Sequence, residues 1–280
     1  ASTESRDVAE YPGRYTWDPT RPTIPPRLSA TACGPTVDVA APGVDVPVLI
    51  NYRDIPPGDP EWTSGSGTSF AAPQVAGAAG LLWSLAVHRP GLALDPGRIT
   101  SAIRTTTDDL TGTWWPGYAG TLATEWDGMT GHGRIDLFAA LMRVDPELGP
   151  VSIIRAEIVD PAVDVWTVPA AAFDVPVTAM LGAPGDSGIS ASIDLAFGAE
   201  PGFSGCPSAT CLRLASGAPA ADASLVGRIN PDALPEGRSS MRLAATDAAG
   251  NRYEDRVGLI VDAVRVESPG WNGVLTFRGT

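Results

Sequence analysis

The stretch GTSFAAPQVAG, residues 67–77, opens the one long apolar helix pattern of the chain. From Ser69 to His88, Val75, Ala78, Ala79, Leu82, Leu85 and Ala86 recur at helical spacing. The opposite face carries only small residues, Ala72, Ala76, Gly77 and Gly80. That pattern predicts a buried helix with another backbone close against it. Pro73 is tolerated in a first turn, so the helix is expected to begin near Ser69. His88, Arg89 and Pro90 supply the stop, with cations where the helix dipole favours them. A serine at such an N-terminus has chemistry available to it. Unpaired N–H groups and the macrodipole stabilise negative charge there. Attack on a carbonyl produces an oxyanion that the serine's own N–H can receive. Gly65 and Gly67 would let a substrate backbone approach. The plainer reading is that Thr68 or Ser69 only caps the helix.

Resemblance favours the chemical reading. GTSFAAPQVAG resembles the nucleophile motif of the subtilisin-like serine proteases, Gly-Thr-Ser-Met-Ala-Ala-Pro-His-Val-Ala-Gly, and departs from it only at Phe70 and Gln74. VDVAAPG (37–43) is similar to the segment that precedes the nucleophile in that family, and GHGRID (131–136) to the one that opens a late helix. The three come in the family's order. The resemblance covers about residues 1–145 and implies that Ser69 is the nucleophile. Its N–H would form half of the oxyanion hole, with Gly67 and Thr68 lining the approach of substrate.

The same resemblance exposes what the chain lacks. The family order is Asp, His, Ser, yet both histidines, His88 and His132, follow Ser69, and no Asp-Ser-Gly or His-Gly-x-His precedes it. Asn51 lies too near the serine to match the family's oxyanion asparagine. The expectation is that base, acid and second oxyanion donor lie upstream of Ala1, and that the chain is the C-terminal portion of a larger protease, inactive alone. His132 reads as a loop histidine and His88 as a helix-end one. Asp186-Ser187-Gly188, within APGDSGIS (183–190), mimics two protease signatures but comes after Ser69 and reads as a polar turn.

Outward from the motif, Asp95 followed by Pro96 predicts an N-cap and first residue of a second helix over about 96–106. A third is expected over about 135–144. Residues 37–43 and 44–50 read as short strands and 56–67 as loop. After Pro150 the apolar period changes to two. Ile154, Ala156 and Ile158, then Phe173 to Leu181, Ile189 to Phe197, Met241 to Ala245 and Tyr253 to Val261 alternate with polar neighbours. The expected fold is therefore α/β over residues 1–147, part of a subtilisin-like, mostly parallel sheet with flanking helices. An all-β immunoglobulin- or fibronectin-like sandwich follows over 151–280, after a linker near 145–151.

Composition narrows the partners. The chain of 280 residues has a net charge of −13, and all 19 of its basic residues are arginine. An acidic chain without a basic stripe argues against nucleic acid and against anionic membrane surfaces. No apolar run of the length a membrane helix needs is read from the sequence. Cys206 and Cys211, in GCPSATC, suggest a small loop disulfide and an oxidising compartment; two free thiols are the alternative. Cys33 reads as a buried small residue. No cofactor or metal is assigned, although many subtilases bind calcium. Asp108, Asp109, Asp145 and Glu147 form no calcium loop.

These readings describe a serine endopeptidase acting on protein or peptide substrates, secreted or at the cell surface by family resemblance. The sandwich would contact a surface or a polysaccharide. The rivals are a non-catalytic subtilase-like scaffold and a protein that functions by binding through the sandwich alone.

Overall fold

A computed structural model of the chain describes residues 2–3, 37–43, 46–49, 62–92, 94–110, 112–113, 121–122, 126–128, 130–148, 153–162, 165–169, 174–182, 188–198, 202–219, 223–262, 265–267 and 276–278. It divides into two compact units. The first comprises Ala1–Leu94 with Ala102–Val151, and the second Asp95–Ser101 with Ser152–Thr280. Residues 183–187, and with them Asp186 and Ser187, lie outside the described residues, as do Cys33 and Asn51.

In the first unit, β1 (Ser2–Thr3) pairs in parallel with β2 (Ala41–Pro42). β3 (Val46–Leu49) and β4 (Trp62–Gly65) form an antiparallel pair, and so do β5 (Gly112–Thr113) and β6 (Thr121–Leu122). The helices of the chain are α1 (Thr68–His88), α2 (Pro96–Thr105), of which Pro96–Ser101 belong to the second unit, and α3 (Leu137–Val144). α2 starts where Asp95 caps it, its Oδ1 accepting from Arg98 N–H at 3.1 Å. Asp136 caps α3 in the same way through Ala139 N–H at 2.8 Å.

Three expectations are corrected here. The mostly parallel sheet is not formed: only the two-residue β1–β2 pair is parallel among the described strands of this unit. β4 follows β3 directly in the chain, a connection that suits an antiparallel pair, whereas parallel neighbours require a crossover. β4 itself occupies residues read as loop. Its Gly, Ser and Thr content hides a strand whose pairing is set by β3.

The third correction concerns α1. Ala71, Ala78 and Leu82 are buried, but Ala72, Ala76, Gly77 and Gly80 are exposed, and nothing lies within 4 Å of a Cβ built on Gly77 or Gly80. Leu81, Trp83 and Val87 are exposed as well. With no Asp, Glu, Lys or Arg in 21 residues, α1 is long and apolar enough, by length and composition, to cross a membrane. Reading only uninterrupted apolar runs missed this, because Thr68, Ser69, Gln74 and Ser84 break the run without adding charge.

The second unit is built from strands. One sheet has the order β11 (Cys211–Gly217), β10 (Ser190–Phe197), β13 (Gly237–Thr246), β14 (Arg252–Asp262), β8 (Val165–Pro169). The other has the order β12 (Ala223–Ile229), β9 (Val175–Leu181), β7 (Ala156–Asp160). A separate pair joins β15 (Arg265–Glu267) to β16 (Thr276–Arg278). All neighbours run antiparallel except β8 against β14. Alternation produces the core: Ile158, Val177, Leu181, Ile193, Leu195, Met241, Leu243 and Leu259 all point into one buried cluster drawn from both sheets. Asp255 ties the sheets from within, its Oδ2 accepting from Ile158 N–H at 2.7 Å.

The opposite face of the five-stranded sheet carries charge. Asp194 is fully buried there and accepts from Arg213 Nε at 2.5 Å and from Arg242 Nη2 at 3.2 Å. Glu254 accepts from Arg256 and faces Arg242 at 3.7 Å. Phe203 covers this cluster, its ring centroid 4.4 Å from the Arg242 guanidinium and 4.9 Å from that of Arg256. A disulfide joins Cys206 to Cys211, both of which pack in one small cluster with Phe203, and Arg213 Nη2 donates to Cys206 O at 3.1 Å.

Candidate active site

Ser69 is the second residue of α1, and its side chain is exposed. The residue that caps the helix is Gly67, with φ 146° and ψ 168°, and no side chain caps the end. Neither Thr68 nor Ser69 therefore serves as the cap. That backbone conformation suits glycine and strains any other residue. Gly67 N–H donates to Gly43 O at 2.6 Å, and Phe70 N–H donates back to Gly67 O at 3.0 Å. The N–H groups at the first positions of a helix have no acceptor within it. The Ser69 N–H thus sits beside its own hydroxyl, available to an oxyanion.

Gly65 does not play the part expected of it. A Cβ there would lie 2.3 Å from Cζ of Phe70, so the Phe70 ring fills the space over this glycine. Gly65 makes room for a side chain of α1 rather than for a substrate. Pro73 is also displaced from its expected place. It is the sixth residue of α1, beyond the first turn, and its missing N–H leaves the Ser69 carbonyl without its helical donor.

The three sequence landmarks meet at residues 38–43. Ala40 N–H donates to Gly133 O at 2.8 Å, and Ile135 N–H to Ala40 O at 2.9 Å. His132 N–H donates to Asp38 O at 2.8 Å. Gly131 has φ +66°, and a Cβ on it would lie 2.1 Å from Asp38 O; one on Gly133 would lie 2.3 Å from Asp108 O. Glycine is demanded at both by close backbone approach. Arg104 pairs with Asp38 at 2.6 Å and Arg134 with Asp108 at 2.8 Å, so these acids brace the loop. On the far side of the same segment, Gln74 Nε2 donates to Pro42 O.

No histidine or acid is hydrogen-bonded to Ser69 among the described residues. The His88 ring engages Ser84 O through Nδ1 at 2.8 Å. Nineteen residues along one helix place it about 28 Å from Ser69. His132 is held by its backbone, its carbonyl accepting from Thr107 Oγ1 at 2.7 Å. Asp145 and Glu147 both pair with Arg89. Among the described residues no group of three or more His, Cys, Asp or Glu is arranged to hold a metal ion.

Residues 27–133 match the subtilase family, Peptidase S8. They are a subtilase-like region. It contains Ser69 and the two segments, residues 37–43 and 131–133, that meet each other, on a serine-protease-like scaffold. No curated protein sequence matches the chain. Among solved structures, tripeptidyl peptidase 2 aligns with 82% of this chain and 22% of its own, at 17% identity and a TM-score of 0.35. The endo-beta-1,4-mannanase from Thermotoga petrophila aligns with 52% of this chain and 28% of its own, at 13% identity and a TM-score of 0.29. The periplasmic chaperone SfaE aligns with 41% of this chain and 60% of its own, at 11% identity and a TM-score of 0.27. This chain spans less than two thirds of the length of each.

Proposed function

We propose that the subtilase-like region supplies the nucleophile of a serine endopeptidase and that Ser69 is that residue. The observation that carries the reading is the exposed Ser69 at the second position of α1, where its N–H has no acceptor within the helix, behind a glycine cap. Ser69 Oγ attacks the peptide carbonyl as its proton passes to a base. The tetrahedral oxyanion is met by the Ser69 N–H. The C–N bond breaks as that proton moves to the departing amine, and water then hydrolyses the acyl-enzyme. His88 stands about 28 Å from Ser69 along α1 and engages Ser84 O instead. By the subtilase chain order, the base of this reading is a histidine that precedes Ser69. The substrates are proteins or peptides, the site is that of a secreted or cell-surface enzyme, and the second unit is an immunoglobulin-like accessory module. The Cys206–Cys211 disulfide supports an oxidising location.

A fluorophosphonate probe tests the assignment in the full-length protein. The Ser69 Oγ–phosphorus bond forms, fluoride leaves, and the hydroxyl proton goes to the base. Peptide mass spectrometry should find the adduct on Ser69, and Ser69→Ala should abolish both adduct and peptidase activity. An adduct on another serine, or activity retained in Ser69→Ala, refutes the reading.

A further inference from the structure

We infer that Gln74 is the positioning residue of this site: its side-chain amide sets where Ser69 stands. The inference rests on Ser69 being the nucleophile. Pro73 cannot donate to the Ser69 carbonyl, so the turn that carries the serine lacks one of the bonds that would hold it. Gln74, the next residue, compensates with its side chain. Its Nε2 donates to Phe70 O at 3.0 Å, within the same turn, and to Pro42 O in β2. One amide group thus spans from the turn to the strand. Gly67 N–H, donating to Gly43 O, fixes the adjoining residue to the next residue of the same segment. Ser69 lies between these two attachments.

The α1 packing leaves much of this task to them. Around the serine only Ala71 is buried, while Ala72, Pro73, Ala76 and Gly77 are exposed. Without the Gln74 amide, the first turn keeps the Gly67 bond to Gly43 and loses its side-chain tie to Pro42 of β2. A glutamine reaches both acceptors because its two amide hydrogens diverge from one nitrogen. Methionine has the same length and no donor. Histidine keeps one ring N–H and restores one of the two bonds.

The test compares wild type, Gln74→Met, Gln74→His and Ser69→Ala in the full-length protein. The readouts are the fluorophosphonate labelling rate, kcat and KM for a peptide substrate, and folded fraction by near-UV circular dichroism. A displaced nucleophile should lower labelling rate and kcat together by roughly ten- to a hundredfold in Gln74→Met. KM should stay within about twofold, and Gln74→His should recover most of the loss. A folded Gln74→Met that labels and turns over at the wild-type rate overturns the inference and leaves the nucleophile assignment standing. So does loss of folding in both Gln74 variants, which would make Gln74 a folding determinant. Absence of a Ser69 adduct in wild type overturns both readings.

Discussion

Asp194 offers the most exacting test of how the second unit is held together. Its carboxylate is fully buried on the outer face of the five-stranded sheet and accepts from Arg213, Arg242 and the Ser192 hydroxyl, the last at 3.2 Å. Replacement by alanine removes one negative charge from between two guanidinium groups and leaves them facing each other. Removing one partner of a buried ion pair costs about 3–5 kcal/mol. Arg213 and Arg242 keep side-chain exposures of 35% and 21%, so each can regain some water. The lower end, about 3 kcal/mol, is therefore expected. For a unit of this size that corresponds to a fall of roughly 10 °C in its thermal midpoint. Differential scanning calorimetry on the whole chain measures it. The control is the triple variant Asp194→Leu with Arg213→Met and Arg242→Met, which removes charge from both sides and should recover most of the loss. If Asp194→Ala shifts the midpoint by less than about 2 °C, the arginines are satisfied by solvent and the buried-pair argument is wrong.

Two further outcomes follow from the same unit. Burial pushes the Asp247 carboxyl up, but hydrogen bonds from the Asn251 side chain and backbone, the Tyr253 hydroxyl and Ala249 N–H outweigh it and hold the group below the usual carboxylate range. The folded state thus binds this proton less readily than the unfolded chain. The stabilisation is present above about pH 4 and is lost as pH falls through the lower, folded value. Urea melts of wild type and Asp247→Asn from pH 6 to pH 2.5 should converge as the pH drops; a constant gap refutes this. The Cys206–Cys211 disulfide closes a short loop, with a sequence separation of 5, so Cys206→Ser with Cys211→Ser should cost about 2 kcal/mol by loop entropy. Arginine modification by phenylglyoxal should quicken at Arg242 as Phe203 loosens; an unchanged rate and midpoint would show that the loop holds without the bond.

What the sequence reveals of this fold divides by the range of the interactions. Asp95 before Pro96 locates the start of α2 because capping involves residues three apart. The alternation in β7, β9, β10, β13 and β14 is visible because each strand buries one face along its whole length. β4 and β8 are not, since their places depend on a partner elsewhere: β4 on β3, and β8 on a parallel neighbour, β14, far along the chain. At the candidate site, the motif singles out Ser69, and Ser69 stands exposed at the second position of α1. The work of Gln74 is not, because its acceptor, Pro42, lies 32 residues away and a polar side chain on a helix ordinarily reads as a solvated one. Gly65 shows the reverse error. A glycine beside a nucleophile suggests room for substrate, but the Phe70 ring occupies it.

α1 joins these strands of argument. Its composition would suit a membrane, yet both of its ends are fastened to its own unit by polar bonds. Gly67 and Gln74 bind Gly43 and Pro42 at the start. Arg89, immediately after the helix, pairs with Asp145 at 3.3 Å and with Glu147 at the end. Between those ends, Leu81, Trp83 and Val87 remain exposed, and Ala78 and Leu82 carry much of the burial. Three buried residues, Ala71, Ala78 and Leu82, hold a helix of 21 less firmly than a full apolar stripe would. The position of Ser69 then depends less on hydrophobic packing than on directional bonds at the N-terminus. Hydrogen bonds fix a group's place through distance and angle, whereas apolar contact is non-directional. A hydroxyl that must meet a carbonyl carbon within about 3 Å benefits from the first kind of restraint. The exchange of a core-buried helix for an end-tethered one is therefore compatible with a nucleophile's need for fixed geometry, and it concentrates that geometry in Gly67 and Gln74.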